Sequence, residues 1–556
     1  MRAVTGGAAV LAFCFMFIFF GPLEMVAFGS DSFMYSYKNI FVPIALTAFF
    51  AFALGTLLIS QLKGKIFDWA VCLVFAFTVC GYLQAAFMNG SFGTLTGDKI
   101  SWSEHSGELI LNTVFWVAVT VALFLIMRFN KKFWEKLVTF VSVLLVIMQF
   151  VPTVAIFAGF YEQTKITKLS TYMFSKKGMY ELSAEDNVIV IVLDRLDYDY
   201  IQKVLNEDPE FFDRLDGFTS YTNAISVYAR TRPALAQLLT GFEGTAYNTA
   251  PDDYFIDAWA SGENNILTAA SEKGYSTELY TSIKYVFGDT EYTDYVSNAK
   301  YIDKNTLVYS PLISKLLNLS AYRYMPDVAK SLFWADTNYY NSEIFVNDKS
   351  PYTFSDSEYA PYFSESTAER ESGSFKLYHF SGSHTPYHMN ADGTESEEET
   401  TVTEQTMGCF NILFSFFDRM KELGVYKDST IIITGDHGAS IDDTVPLTKA
   451  TRIGLFYKPS GSEGTPLTQS KAQVCTDNIP ATILKSIGAS YDGYCPPLDE
   501  IGEDDEIERF YYKSVADDKT FHEIELYKYR VVGDAAYFKN WELVDVTEIE
   551  PGNGFH

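Results

Sequence analysis

Apolar residues are spread unevenly along the chain. Five stretches near 8–27, 40–62, 66–88, 109–127 and 137–159 carry almost no charge, and each matches the roughly 20 residues that span a bilayer as a helix. After residue 187 the pattern changes: short β-branched runs at 188–193, 218–224, 277–280, 375–380 and 430–434 alternate with helical stretches at 198–205, 233–239, 266–273, 408–423 and 477–487. Strands separated by helices predict an α/β fold, a mostly parallel sheet covered on both faces. Residues 510–545, rich in Tyr, Val and Phe, predict a small antiparallel sheet beside it. The expected organisation is a domain of five transmembrane helices over 1–160, a linker over 161–186 and a large domain over 187–556. In the linker, Lys165, Lys168, Lys176 and Lys177 beside Leu169, Tyr172, Met173 and Phe174 suit a helix resting on the bilayer surface, and equally a solvated connector.

Charge in the short loops sets the orientation. Lys63 and Lys65 follow the second apolar stretch, and Arg128, Lys131, Lys132 and Lys136 follow the fourth, so both loops are expected inside the cell. Glu24 with Asp31, and Asp98 with Glu104, then face outward. An odd number of spans leaves everything after Gly159 extracytoplasmic. The first stretch also fits a secretory signal, with Arg2 ahead of an apolar core that ends near Pro22, and that reading puts the large domain on the same side.

The formal charge of -28 lies mostly in the large domain and argues against nucleic acid as a partner. An anionic substrate would need a cation to approach such a surface. Of six cysteines, only Cys409, Cys475 and Cys495 fall outside the apolar stretches, too few to frame a disulfide-built fold. A Cys475–Cys495 bridge is compatible with the compartment and with nothing else in the sequence.

Candidate chemistry collects at strand ends, where parallel sheets hold their ligands. Asp194 follows the run 188–193, and Gly435-Asp436-His437-Gly438 follows 430–434. A carboxylate and an imidazole on adjacent loop positions suit Mn²⁺, Zn²⁺ or Mg²⁺. Thr231 precedes Pro233, and Gly241 closes the run, so Thr231 is expected at or beside a helix N-cap, where free N–H groups favour negative charge. Four of the seven histidines, His379, His384, His388 and His437, fall in two short segments. His379 lies inside an apolar strand and reads as structural, His384 lies on a loop, and His388 fits either role.

The order Asp194, Thr231 with Pro-Ala-Leu-Ala-Gln-Leu-Leu-Thr-Gly behind it, Gly-Ser-His384-Thr-Pro and Gly-Asp436-His437-Gly resembles the sulfatase-like branch of the alkaline phosphatase superfamily. The resemblance covers 187 to about 489. Thr231 takes the place where sulfatases carry the Cys or Ser that becomes formylglycine, an aldehyde that threonine cannot make. With five membrane helices ahead of it, the chain is similar instead to lipoteichoic acid synthases and lipid A phosphoethanolamine transferases, bacterial plasma-membrane enzymes with a threonine nucleophile. The resemblance implies that Asp194, Thr231, Asp436 and His437 bind one divalent metal ion, Mn²⁺ or Zn²⁺, and that His384 contacts the substrate phosphate or donates a proton. Lipoteichoic acid synthases carry a Trp-Asn-Arg segment where this chain has Tyr285-Val-Phe-Gly-Asp289, which leaves Lys284 or Arg232 to supply the cation for the head group. The histidine that phosphoethanolamine transferases carry after Asp-His has no counterpart in 441–451.

The activity implied is transfer of a phospholipid head group, phosphoglycerol ahead of phosphoethanolamine, through a threonine-linked intermediate. The donor would be phosphatidylglycerol or phosphatidylethanolamine, and the acceptor a cell-surface glycan or glycolipid. A hydrolase of phosphodiesters or sulfate esters, and a non-enzymatic glycan-binding protein, are the alternatives.

Overall fold

The computed structural model describes residues 2–29, 33, 35–89, 105–159, 172–243, 251–260, 265–288, 292–301, 307–333, 344, 355–439, 442–517, 522–550 and 553–555. The chain forms two compact units, one of 1–171 with 302–347 and one of 172–301 with 348–556.

In the first unit Arg2–Phe28 (α1), Tyr37–Gln61 (α2), Gly64–Met88 (α3), Ser106–Phe129 (α4) and Lys131–Phe157 (α5) are each long and apolar enough to cross a membrane. Leu111 is 72% exposed and Phe140 68%; water would penalise such faces, and lipid does not. Hydropathy alone places one boundary near 160–186, whereas residues 302–347 also join this unit. Their helix, Tyr309–Tyr324, mixes Lys315 and Arg323 with leucines, so no hydropathy window flags it. It packs closely: a Cβ on Gly21 would come within 2.6 Å of the Tyr324 ring, and Ser320 Oγ donates to the Phe17 carbonyl at 2.5 Å. Asp327 and Lys330 just beyond it are buried, where Gln84 Nε2 donates to Asp327 Oδ1 at 2.9 Å.

The second unit is built on seven strands: Asn187–Leu193 (β1), Thr219–Tyr221 (β2), Ser276–Tyr280 (β3), Ser374–Phe380 (β4), Ser429–Thr434 (β5), Leu455–Lys458 (β6) and Thr468–Ser470 (β7). Their order across the sheet is β7-β2-β6-β5-β1-β4-β3. The pairs on both sides of β6 are antiparallel and the others parallel, which makes a mostly parallel sheet. Every residue of β1, β4 and β5 is buried, as a sheet covered on both faces requires.

Pleating splits these strands into two sets. Ile189, Ile191, Leu193, Tyr378, Phe380, Ile431 and Ile433 pack into one core with the helix Val402–Glu422, which supplies Phe410, Leu413, Phe416 and Phe417. That helix begins on a capping box, with Thr401 Oγ1 accepting from the Glu404 N–H at 3.1 Å and Glu404 Oε2 accepting from the Thr401 N–H at 2.9 Å. The other parity, with Val192, His379 and Thr434, faces away from this core. In register Val192 pairs with His379 on one side and Thr434 on the other, so the three strands end side by side.

Arg509–Ala516 (β8), Glu523–Val531 (β9) and Trp541–Glu548 (β10) form the expected antiparallel sheet. Of the two readings open for the linker, the surface helix does not hold where residues are described: Tyr172–Phe174 is a strand paired antiparallel with Ala299–Tyr301, and Glu181–Ser183 pairs with Thr367–Arg370. Strand pairing satisfies the backbone there and buries Met173 and Phe174; residues 160–171 lie outside the described residues. Cys475 and Cys495 are both free.

On the core face of the sheet, Lys376 of β4 is fully buried and donates to Glu278 Oε2 of β3 at 3.0 Å, while Arg370 Nη1 donates to Glu278 Oε1 at 2.7 Å. Glu278→Leu leaves the buried Lys376 without its counter-ion, while Arg370 keeps Glu181, and is expected to cost about 3–5 kcal/mol. Thermal unfolding of the full chain in detergent checks this, and Glu278→Leu with Lys376→Met should recover part of the loss.

Candidate active site

Three strand ends and one helix start build the site. Asp194 is the residue after β1, His379 the penultimate residue of β4, and Asp436-His437 follow Gly435 at the end of β5. Thr231 opens the helix Thr231–Thr240 (α7), with Arg230 at the N-cap and Gly241 at the C-cap in the left-handed conformation. The helix start thus presents a hydroxyl among unpaired N–H groups.

Thr231 Oγ1 lies 3.3 Å from Asp194 Oδ2 and 3.3 Å from His437 Nε2. His437 Nε2 is 3.5 Å from Asp194 Oδ1 and 3.6 Å from Asp436 Oδ2. His437 Nδ1 donates to the Gly438 carbonyl at 2.8 Å, an acceptor only, which turns Nε2 toward the carboxylates. Asp436 Oδ1 accepts from the N–H groups of Arg195 and His437 at 3.1 and 2.9 Å, which aims Oδ2 inward. His379 Nδ1 is held by Thr281 Oγ1 at 2.9 Å, and its Nε2 points at Asp194 Oδ2 from 3.8 Å.

The donor set fits a divalent cation. Asp194 Oδ1, Asp436 Oδ2 and His379 Nε2 are buried without a hydrogen-bond partner, and ligand atoms of these three residues lie within 4.8 Å of one another. Buried acceptors facing one another repel unless positive charge lies among them. Oxygen with imidazole nitrogen suits Mn²⁺ or Zn²⁺.

The same crowding moves the protons. Burial, then the charge of Asp436, pushes the Asp194 carboxyl up to about 8. Burial also works against Asp436, yet His437 and then His379 hold it below the ordinary carboxylate value. Burial takes His379 down to about 4 against the pull of Asp436, leaving a neutral ring able to offer a lone pair. His379 thus sits in the site rather than in the core to which its apolar strand assigns it. Strand parity was the available signal, because Val192, Asp194 and His379 share one face.

The other expected residues are placed less centrally. His384 lies on the loop after β4, its Nδ1 bonded to the Thr385 carbonyl at 2.5 Å. Lys284 occupies the short helix Ile283–Val286, and the ring of its neighbour Tyr285 is 5.9 Å from that of His379. The Arg232 guanidinium lies over the rings of Phe255 and Phe555, at 5.9 and 5.6 Å, with Nε buried and without a partner.

Two supporting carboxylates escaped sequence reasoning. Asp356, buried and pushed up to about 6 by burial, accepts from the N–H groups of Ser381 and Gly382 at 2.7 and 2.8 Å and so holds the His384 loop. Gly382 has φ 62°, and a Cβ there would come within 2.4 Å of the Asp194 nitrogen. Asp197 caps the helix Tyr198–Glu207 and reaches the Ala439 N–H at 2.8 Å, fixing the chain just past His437.

A carboxyl raised in the fold contributes stability below its ordinary value and loses it as pH rises through the raised one. With chelator, the melting temperature should therefore fall as pH rises toward about 8 and level off above it, and Mn²⁺ or Zn²⁺ should remove that fall. Near neutral pH, binding should expel about one proton. Calorimetry in two buffers of different ionisation heat reads that proton, and none released contradicts the assignment to Asp194.

None of the curated proteins compared matches the chain. Among solved structures, an alkaline phosphatase superfamily protein from Vibrio parahaemolyticus is similar at 14% identity and a TM-score of 0.37, over 68% of this chain and 81% of that one. A phosphonate monoester hydrolase from Silicibacter pomeroyi gives 14% identity and 0.38, over 66% and 88%. The lipoteichoic acid synthase LtaP from Listeria monocytogenes gives 13% and 0.33, over 64% and 86%. The sulfatase family model matches residues 186–489, more than half of the 556 residues and the whole of the site. The chain belongs to the sulfatase family and is an enzyme acting on phosphate or sulfate esters.

Proposed function

We propose that this protein is a membrane-bound phosphotransferase that takes a phospholipid head group, phosphoglycerol ahead of phosphoethanolamine, onto Thr231 and passes it to a cell-surface glycan or glycolipid. The observation that carries the reading is the Thr231 hydroxyl at a helix N-terminus, 3.3 Å from both Asp194 Oδ2 and His437 Nε2. Asp194, Asp436, His437 and Thr231 would hold one Mn²⁺ or Zn²⁺, with His379 beside them. When bound, such a cation neutralises phosphate charge and lowers the pKa of a neighbouring hydroxyl.

Thr231 Oγ attacks the lipid phosphorus, forming an O–P bond while the bond to the diacylglycerol oxygen breaks. Its hydroxyl proton leaves along the hydrogen bond to Asp194 Oδ2. His384, whose Nδ1 is committed to the Thr385 carbonyl, gives a proton from Nε2 to the departing oxygen and later takes one from the acceptor hydroxyl. The acceptor oxygen then displaces Thr231 from phosphorus, and Thr231 Oγ takes back its proton from Asp194. Arg232 or Lys284 supplies the cation that meets the head group. Lysine and arginine in the α2–α3 and α4–α5 loops support a catalytic unit outside a bacterial plasma membrane, where donor lipid is at hand.

Purified protein with Mn²⁺ or Zn²⁺ and fluorescent-tailed phosphatidylglycerol or phosphatidylethanolamine is expected to release diacylglycerol from one of the two. Thr231→Ala should lower that release by at least about 10³-fold. Full turnover in the variant contradicts the reading, and free head group with no labelled acceptor replaces transfer by hydrolysis.

A further inference from the structure

Charge at the site does not balance once substrate enters. Asp194 and Asp436 offset a divalent cation, and a phosphodiester then adds one negative charge to a largely buried place. Arg230 is already occupied, its Nε 3.2 Å from Glu523 Oε1 and its Nη2 3.5 Å from Asp443 Oδ2. Arg232 lies against two rings.

Arg195 is placed differently. It has φ 56° and is the one non-glycine with positive φ among the described residues. The tight turn after β1 demands this backbone, with Leu196 N–H reaching the Leu193 carbonyl and Asp197 N–H the Arg195 carbonyl at 3.1 and 2.7 Å. Glycine would take that conformation without strain, and arginine does not. Strain of this kind persists where surrounding structure holds it, often at functional sites. The side chain makes no ion pair or hydrogen bond among the described residues, and its Nε is buried. Its guanidinium acts on Asp194 and also on Tyr200, whose hydroxyl bonds that of Tyr387, three residues past His384. The residue is anchored at the metal-binding end of β1, directly after Asp194 and with its backbone N–H on Asp436 Oδ1 at 3.1 Å.

We infer that Arg195 is a substrate-binding residue whose guanidinium receives a non-reacting oxygen of the phosphate group; this rests on the phosphotransfer reading above. A buried donor without a partner and a substrate oxygen without a cation complete each other.

The test is titration of inorganic phosphate into the metal-loaded full chain in detergent, for wild type, Arg195→Gly, Arg195→Ala and Arg195→Lys, with metal content and melting temperature recorded for each. Phosphate affinity should fall about tenfold or more in both the Gly and Ala variants, while Lys retains part of it. Metal content should not change. The Gly variant should melt no lower than wild type, because the turn accepts it. Unchanged affinity in Gly and Ala overturns the inference. So does a loss confined to one of them, which would belong to the turn, or a loss that tracks metal content, which would belong to Asp194. A wild type that turns over lipid yet binds no phosphate overturns the role of Arg195 alone. A wild type that does neither overturns the transfer reading with it.

Discussion

Acceptor atoms without donors converge at the carboxyl ends of β1, β4 and β5, and the site is organised around that repulsion. Asp194 Oδ1, Asp436 Oδ2 and His379 Nε2 are buried and unpaired, and His437 Nε2 faces the two carboxylates from 3.5 and 3.6 Å. A fold tolerates such a cluster only with a cation or shared protons inside it. The raised Asp194 carboxyl is the proton answer, and a divalent ion is the functional one. Thr231 joins because α7 starts beside the cluster, so the same excess of positive charge that satisfies the carboxylates would activate its hydroxyl.

The rest of the second unit keeps those atoms in place. Parallel pairing in register brings Val192, His379 and Thr434 abreast, and alternation then turns Asp194 and His379 to one face while Leu193, Phe380 and Ile433 fill the opposite core. Sliding β4 by one residue would exchange His379 for a phenylalanine or a tyrosine. Asp356 and Asp197 perform the same service for loops, each carboxylate gathering backbone N–H groups near a functional residue. The glycines at 382 and 435 let backbones approach closer than any side chain would allow.

Much of this was legible in the sequence because it is local. Five apolar stretches read as spans, strand–helix alternation as a parallel sheet, and Asp194, Thr231 and Asp436-His437 as strand-end and helix-start chemistry; the structure brings those four side chains together. What escaped depends on pairing across the chain. His379 looks apolar in its own strand and becomes part of the site only through its register with β1. Asp356 and Arg195 act through contacts with β4 and with a left-handed turn that no local pattern announces. The helix Tyr309–Tyr324 is too polar for a hydropathy window, yet joins the membrane helices through close packing at Gly21 and a buried polar set at Gln84 and Asp327.

The most direct test of the account is to trap the intermediate. Metal-loaded wild type is mixed with phosphatidylglycerol or phosphatidylethanolamine without acceptor, quenched in acid, digested and read by mass spectrometry. The account predicts one glycerophosphoryl or phosphoethanolamine group on the peptide that carries Thr231, absent when a chelator is present. Turnover of lipid with that peptide unmodified, or with the group on another residue, would contradict it.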